Sequence, residues 1–304
     1  MAQLLTCTRA ALRQLAAHTA RHLASPLFLT SLRRPEQDVP GVSVHMLVSG
    51  STWHAGLLAA CSLEFHTRKR WNFTIHEDGS VPPAAMDAMR RQLPGVRIIA
   101  RSEADRRMQS HLAAFPECLA HRARHNLFLK FADPAAYCEE PRLIILDSDV
   151  LFFRRPDEIL EWALSGSQAC LYNQDTKEKF CIPRAEIERL TPHRLPPLFN
   201  SGLVLIPHTA LDLALAESFL LTFRAMAHAP QFFEQTLFGL MATRAAGGWR
   251  PLPQTYNISW DYLRAKGSVC RHYVGDFKHD LLYIEGASLL AFQRLRAMFS
   301  SRDW

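Results

Sequence analysis

With 304 residues, 48% of them hydrophobic, the chain can build a sizeable core, and 21% charged residues with a mean hydropathy of -0.08 argue against disorder. A formal charge of +6 and a pI near 9.1 favour acidic partners such as nucleotide phosphates or anionic lipid; no Lys/Arg run is interleaved with aromatics, which excludes a nucleic-acid groove. No apolar run reaches the ~18 residues a membrane span needs, and the seven cysteines, odd in number and without a CxxC pair, exclude a disulfide framework and a zinc knuckle.

Cys7, Cys61, Cys118, Cys138, Cys170, Cys181 and Cys270 therefore read as reduced thiols of a cytoplasmic protein. Arginine outnumbers lysine, and alanine and leucine abound, a composition that suits a GC-rich bacterial genome. The first 35 residues carry Arg9, Arg13, Arg21, Arg33 and Arg34 and no acid before Glu36. Leu5, Leu12, Leu15 and Leu23 can share one helical face. Three readings fit: an amphipathic helix lying on the inner membrane face, a transit peptide, or a helix docked on the body, which is preferred. Residues 35–40 read as a linker, so a helical extension occupies 1–40 and one α/β domain 41–304.

Strand-like and helix-like segments then alternate. Residues 42–49 (VSVHMLVS) form a first strand ending in Ser-Gly-Ser, and 53–65 have helical spacing. A second strand spans 72–76 and closes on Glu-Asp-Gly-Ser; a helix follows at 83–93 and a third strand at 96–100. The stretch 102–132 is helical in propensity and broken at Pro116. Residues 142–146 (RLIIL) form a strand of the kind buried on both faces, and they run into Asp147-Ser148-Asp149. A short helix at 157–164, a buried strand at 202–206, helices at 211–227 and 232–242, a strand at 269–274 and a helix at 289–299 complete the chain. In such sheets ligands sit at the carboxyl ends of strands, where both Asp78 and the Asp147–Asp149 pair fall.

The sharpest chemical signal is that pair. Two carboxylates in a tight loop after a buried strand are hard oxygen ligands suited to Mg²⁺ or Mn²⁺, which bridges substrate phosphates and neutralises a departing diphosphate. The same residues also occur in strand-end turns that merely cap backbone groups. Asn200-Ser201-Gly202 precedes a buried strand, Glu234-Gln235 opens a helix, and His272 and Lys278 flank Gly275. His272 suits a third metal ligand and Lys278 a point charge on phosphate. Singly, each has an ordinary explanation: a turn cap, first-turn helix residues, a core histidine, a solvated lysine.

Their order carries more than any one of them. From about residue 42 to about 285 the sequence resembles glycosyltransferase family 8 and its relatives, which include glycogenin and bacterial lipopolysaccharide galactosyltransferases. There a strand ends in Asp-x-Asp, an Asn-Ser-Gly strand and an acid–Gln pair follow, and His-x-x-Gly-x-x-Lys closes the site. All four are present in that order. The resemblance implies a GT-A fold, an α/β architecture with a Rossmann-like mixed sheet flanked by helices, and transfer of a sugar from a UDP-sugar donor to an acceptor with retention. It implies that Asp147, Asp149 and His272 hold Mn²⁺ or Mg²⁺, with Ser148 between the acids. Gly275 and Lys278 then face the diphosphate, and Val48, Ser49, Ser51 and Asp78 the base and ribose. Lys130 matches the lysine placed before the metal strand, and Asn200, Glu234 and Gln235 fall at the donor sugar as the candidate catalytic residues. A loop at 252–257, followed by Trp260, Asp261 and Tyr262, resembles one that lines the acceptor cleft; the aromatics also suit a core. The chain departs from the family where Phe128 replaces an arginine and where His279-Asp280 replaces Pro-Trp.

Two rival readings use the same residues. A haloacid-dehalogenase-type phosphatase would take Asp147 as nucleophile and Asp149 as acid/base, with Gly275-Asp276 and Asp280 as its later motif. A nucleotide-sugar-binding scaffold without turnover is allowed by Phe128.

Overall fold

The computed structural model describes residues 2–30, 35, 37–227, 229–259, 265–275 and 278–300. The strands are β1 (Asp38–Val48), β2 (Arg70–Glu77), β3 (Arg97–Ile99), β4 (Arg142–Leu146), β5 (Val150–Phe152), β6 (Cys170–Gln174), β7 (Phe199–Pro207), β8 (Trp249–Pro251), β9 (Tyr256–Ser259) and β10 (Cys270–Tyr273). Seven of them form one sheet in the order β3-β2-β1-β4-β7-β6-β8, parallel throughout except for the two pairings made by β7. A small sheet, β5-β10-β9, pairs β10 antiparallel to β5 and parallel to β9.

The helices are α1 (Ala2–Thr30), α2 (Trp53–Thr67), α3 (Pro83–Gln92), α4 (Arg101–His111), α5 (Pro116–Arg124), α6 (Leu129–Tyr137), α7 (Asp157–Ser165), α8 (Arg184–Leu190), α9 (Leu213–Phe223), α10 (Phe233–Ala242), α11 (Lys278–Leu281) and α12 (Ser288–Ser300). Because side chains alternate across a strand, the apolar runs divide between two cores. Ile144 and Leu146 of β4, Leu203 and Leu205 of β7, and Val42, Val44, Met46 and Val48 of β1 pack with α1, α2, α3 and α7. Leu143, Ile145, Val204 and Ile206 pack on the other face with α4, α5, α6, α9 and α10. Both faces of β4 and β7 are thus covered, the arrangement that continuous apolar strands require. Gly56 lets α2 lie close on β1: a Cβ there would come within 2.8 Å of Met46 Sδ and 2.9 Å of Val48 Cγ1.

Several boundaries differ from those expected. Residues 38–40 belong to β1 rather than to a linker, since the strand extends to Asp38, which meets Arg70 in register. Pro116 interrupts the helical stretch by opening α5 in its first turn, where its missing N–H costs nothing. The helix expected over 211–227 is shorter, because Asp212 caps it by accepting a hydrogen bond from Leu215 N (2.9 Å). Strands β5, β6, β8 and β9 and helix α8 have only three to seven residues and lacked a readable period.

The first segment is a helix docked on the body: α1 lies against α2, α11, α12 and the π-helical turn Leu282–Ala287. Arg13 Nε donates to Asp280 Oδ2 (2.7 Å), the Arg21 guanidinium stands 5.5 Å over the Tyr283 ring, and Phe28 meets Phe65 edge-on. Among the described residues no helix is long and apolar enough to cross a membrane.

One buried polar chain crosses the core beneath β1 and β2. Ser43 Oγ lies 2.9 Å from His45 Nε2, and His45 Nδ1 lies 3.0 Å from His76 Nε2. Nearby, Asp133 accepts two hydrogen bonds from Arg122 (2.6 and 3.0 Å). Burial, aided by the charges of Arg122 and Arg97, lowers the pKa of His76 to about 3, and burial holds His45 well below 6.5. Both rings are neutral in the fold, whereas the unfolded chain takes up protons near 6.5. Their stabilisation is therefore complete above pH 6.5 and is lost as pH falls toward 3, by up to ~1.4 kcal/mol per pH unit for His76 alone. Urea unfolding followed from about pH 7 to about pH 4 should show this decline. His76→Gln should make it shallower, and an unchanged slope would refute the assignment.

Candidate active site

At the end of β4 the chain turns through Asp147-Ser148-Asp149 into β5, and two strand pairings bring partners to this turn. Register with β7 sets Leu146 against Leu203, and Asp147 N donates to Gly202 O (2.8 Å). Pairing of β5 with β10 sets His272 opposite Val150, and Tyr273 N donates to Asp149 O (2.9 Å). His272 Nε2 thereby stands 3.2 Å from Asp149 Oδ1 and 3.8 Å from Asp147 Oδ2, with one ligand atom of each residue within 4.8 Å of the others.

The proton on the imidazole is placed by its other nitrogen. His272 Nδ1 lies 3.0 Å from Asn200 Oδ1, which also accepts from Gly202 N (2.9 Å). The amide cannot flip, because its Nδ2 donates to Asp175 Oδ2 (3.1 Å). Nδ1 therefore carries a hydrogen. Nε2 then either carries a second proton or turns its lone pair on two carboxylates, and a divalent cation between the three groups satisfies them all. Two carboxylates and one imidazole make a donor set suited to Mn²⁺ or Mg²⁺. Gly202 makes room for the ring: a Cβ there would lie 2.4 Å from His272 Cε1 and Nδ1.

Two lysines complete the charge pattern. Lys130 Nζ reaches Asp147 Oδ1 (2.6 Å), Glu234 Oε1 (3.0 Å) and Ser201 Oγ (3.2 Å). Burial alone would lower its pKa, but the two carboxylates outweigh burial and raise it, so Lys130 is a fixed cation. Glu234 shares that one ammonium with Asp147, and burial raises its carboxyl above the ordinary range. Lys278 Nζ donates to Asp149 Oδ2 (2.7 Å). Burial opposes ionisation of Asp149, yet His272 and Lys278 hold it well below the usual carboxylate range.

In front of this cluster lies a cleft of about 210 Å³ at the carboxyl ends of β1, β2 and β4. Val48, Ser49, Asp78, Lys130, Asp147, Ser148, Asp149 and Lys278 all line it. Ser51 sits exposed at the rim, its Oγ 3.0 Å from Ser49 Oγ. Gly275 has φ +90°, a turn that brings Lys278 back toward the carboxylates. Asn200, Glu234, Gln235 and His272 are buried and are not among the residues that line this cleft. The amides of Asn200 and Gln235 are taken up by protein partners: Gln235 Oε1 accepts from Ser201 N (3.3 Å) and its Nε2 donates to Lys179 O (2.6 Å). Trp260, Asp261, Tyr262 and Asp276 lie outside the described residues. Leu252 and Tyr256 are buried, with the Tyr256 hydroxyl on Glu158 (2.8 Å).

Sequence reasoning missed Thr52, Asn126 and Leu127 in the cleft wall and Asp175 behind Asn200. Asp175 is an acid immediately past a buried strand, as Asp147 is, but that signal depends on first finding the strand.

No protein-family sequence model matches the chain, and no curated protein sequence is similar to it. Its fold is that of solved glycosyltransferases. It is similar to galactosyltransferase LgtC in complex with donor and acceptor sugar analogues (15% identity, 83% of this chain and 95% of that one, TM-score 0.55). Mouse xyloside xylosyltransferase 1 in its apo form matches at 14% identity over 76% of this chain and 97% of its own, with TM-score 0.51. The bifunctional glycosyltransferase WbbM matches at 14% over 87% of this chain and 53% of its own, with TM-score 0.52. The GT-A type of fold expected from the motif order is thus the observed one.

The Asn200 clamp can be tested without turnover. Asn200→Ala frees the His272 ring and should weaken Mn²⁺ binding by roughly 10- to 100-fold in a titration followed by electron paramagnetic resonance. An unchanged affinity would mean that the ring needs no such support.

Proposed function

We propose that the chain is a metal-dependent glycosyltransferase that moves a sugar from a UDP-sugar to an acceptor, with retention, in the bacterial cytoplasm. The observation that carries this reading is the convergence of Asp147, Asp149, Lys130 and Lys278 on one cleft at the carboxyl edge of the sheet, with the buried His272 beside the two acids. Asp147, Asp149 and His272 would hold Mn²⁺ or Mg²⁺, which when bound neutralises charge building on the diphosphate. Lys278 supplies a second positive charge to that leaving group, on the turn made by Gly275. Val48, Ser49, Ser51 and Asp78 receive the base and ribose, and Ser148 faces the diphosphate.

Glu234, Gln235 and Asn200 border the donor sugar. Glu234 is paired to Lys130 and accepts a hydrogen bond from Ser201 Oγ (3.2 Å), which makes it a weak nucleophile. That favours a same-face route, in which the departing phosphate takes the acceptor's proton, over a covalent intermediate on Glu234. The phosphatase reading loses its later acid, because Asp280 is engaged by Arg13. Phe128, which allowed a scaffold without turnover, is buried beside Phe131 and His121 as a core residue.

Release of UDP from a panel of UDP-sugars, with and without Mn²⁺ and beside a generic phosphatase substrate, tests the reading. Metal-dependent UDP release from one donor should fall at least about a hundredfold in Asp149→Ala. Phosphate release without UDP release would sink it.

A further inference from the structure

A helix is expected to be apolar on the face it buries and polar on the other. Helix α1 breaks this rule. Its docked face buries Ala17 and Phe28, yet the opposite face presents Leu12, Leu15 and Leu23 at 61%, 63% and 68% exposure. Those three recur at helical spacing and form one stripe. Helix α12, which packs on α1, presents Phe292 and Phe299 at 62% and 86% exposure, seven residues apart on one face with exposed Arg296 between them. Seven of the thirteen large hydrophobic side chains exposed among the described residues lie on these two helices. Scattered surface leucines need no explanation, but this concentration marks an interaction face.

The charge of the face selects its partner. Neither helix contains an acidic residue; Arg13 and Arg21 turn to the docked side, on Asp280 and Tyr283, and Arg296 stands exposed between the two phenylalanines. A second copy related by a two-fold axis would set Arg296 and this acid-free face against themselves, with no carboxylate to pair the like charges. An anionic lipid surface instead takes up the apolar side chains and attracts the guanidinium groups. We propose that the α1–α12 face docks the protein on an anionic membrane surface. The face is tied to the cleft: Arg13 of α1 holds Asp280 of α11, and Lys278 at the start of α11 holds Asp149. The proposal does not rest on the sugar-transfer reading, and its test uses no nucleotide sugar.

The test is flotation of the full chain with two kinds of vesicle, phosphatidylcholine alone and seven parts phosphatidylcholine to three parts phosphatidylglycerol. The wild type should float with the anionic vesicles, less with the neutral ones, and less as salt is raised. Leu12→Asp/Leu15→Asp/Leu23→Asp should lower the bound-to-free ratio by at least about tenfold, with its thermal melt unchanged. Phe292→Ser/Phe299→Ser gives an independent reading should the first variant fold poorly. Wild type left in the bottom fraction with both vesicles, or variants that float like wild type, would overturn the proposal. A wild type that does not float but elutes at twice the monomer mass would overturn it in favour of a second copy.

Discussion

Two carboxylates held two residues apart at the end of a buried strand repel each other, and most of the surrounding polar structure answers that repulsion. Lys130 takes Asp147, Lys278 takes Asp149, and His272 stands between the two acids. None of these partners comes from the strand that carries the acids. Lys130 comes from α6, His272 from β10 and Lys278 from α11, so the cluster binds together the Rossmann-like half, the small sheet and the closing helix. Breaking one partner away from a buried charge costs several kcal/mol, which makes the cluster a structural anchor as well as a site.

The antiparallel strand β7 is the hinge of the arrangement. Running against its neighbours, it brings its first residues, Asn200 and Ser201, to the edge where β4 ends. A parallel strand in that slot would present its last residues there instead. The Asn-Ser-Gly sequence then has a physical meaning at each position. Asn200 fixes the tautomer of His272, Ser201 bridges Lys130 and Glu234, and Gly202 leaves space for the imidazole.

Much of this was legible in the sequence where burial imposes a strong pattern. β4 begins and ends as expected because RLIIL is uniformly apolar and an aspartate follows it. β7 was found but begun three residues late, since Asn200 and Ser201 look like loop residues until their partners are known. β6 was missed because its CLYNQ mixes apolar and polar side chains in five residues, and Asp175 was lost with it. The hold of Asn200 on His272 was unreadable for a different reason: a contact spanning 72 residues leaves no local trace. Helix α1 was legible as a helix, but nothing in the sequence showed that the body would take the face opposite Leu12, Leu15 and Leu23.

The order in which the chain is made gives the Arg13–Asp280 pair a further consequence. The two residues are 267 positions apart, so α1 emerges from the ribosome long before α11 and α12 exist to cover it. Throughout that interval the part of its docked face that α11 and α12 later cover is bare, whereas α2, whose Phe65 meets Phe28, is made early. A nascent chain in this state is prone to aggregate unless a chaperone or a lipid surface holds it. The same late segment supplies His272 and Lys278, so the event that shelters α1 also completes the cluster around Asp147 and Asp149.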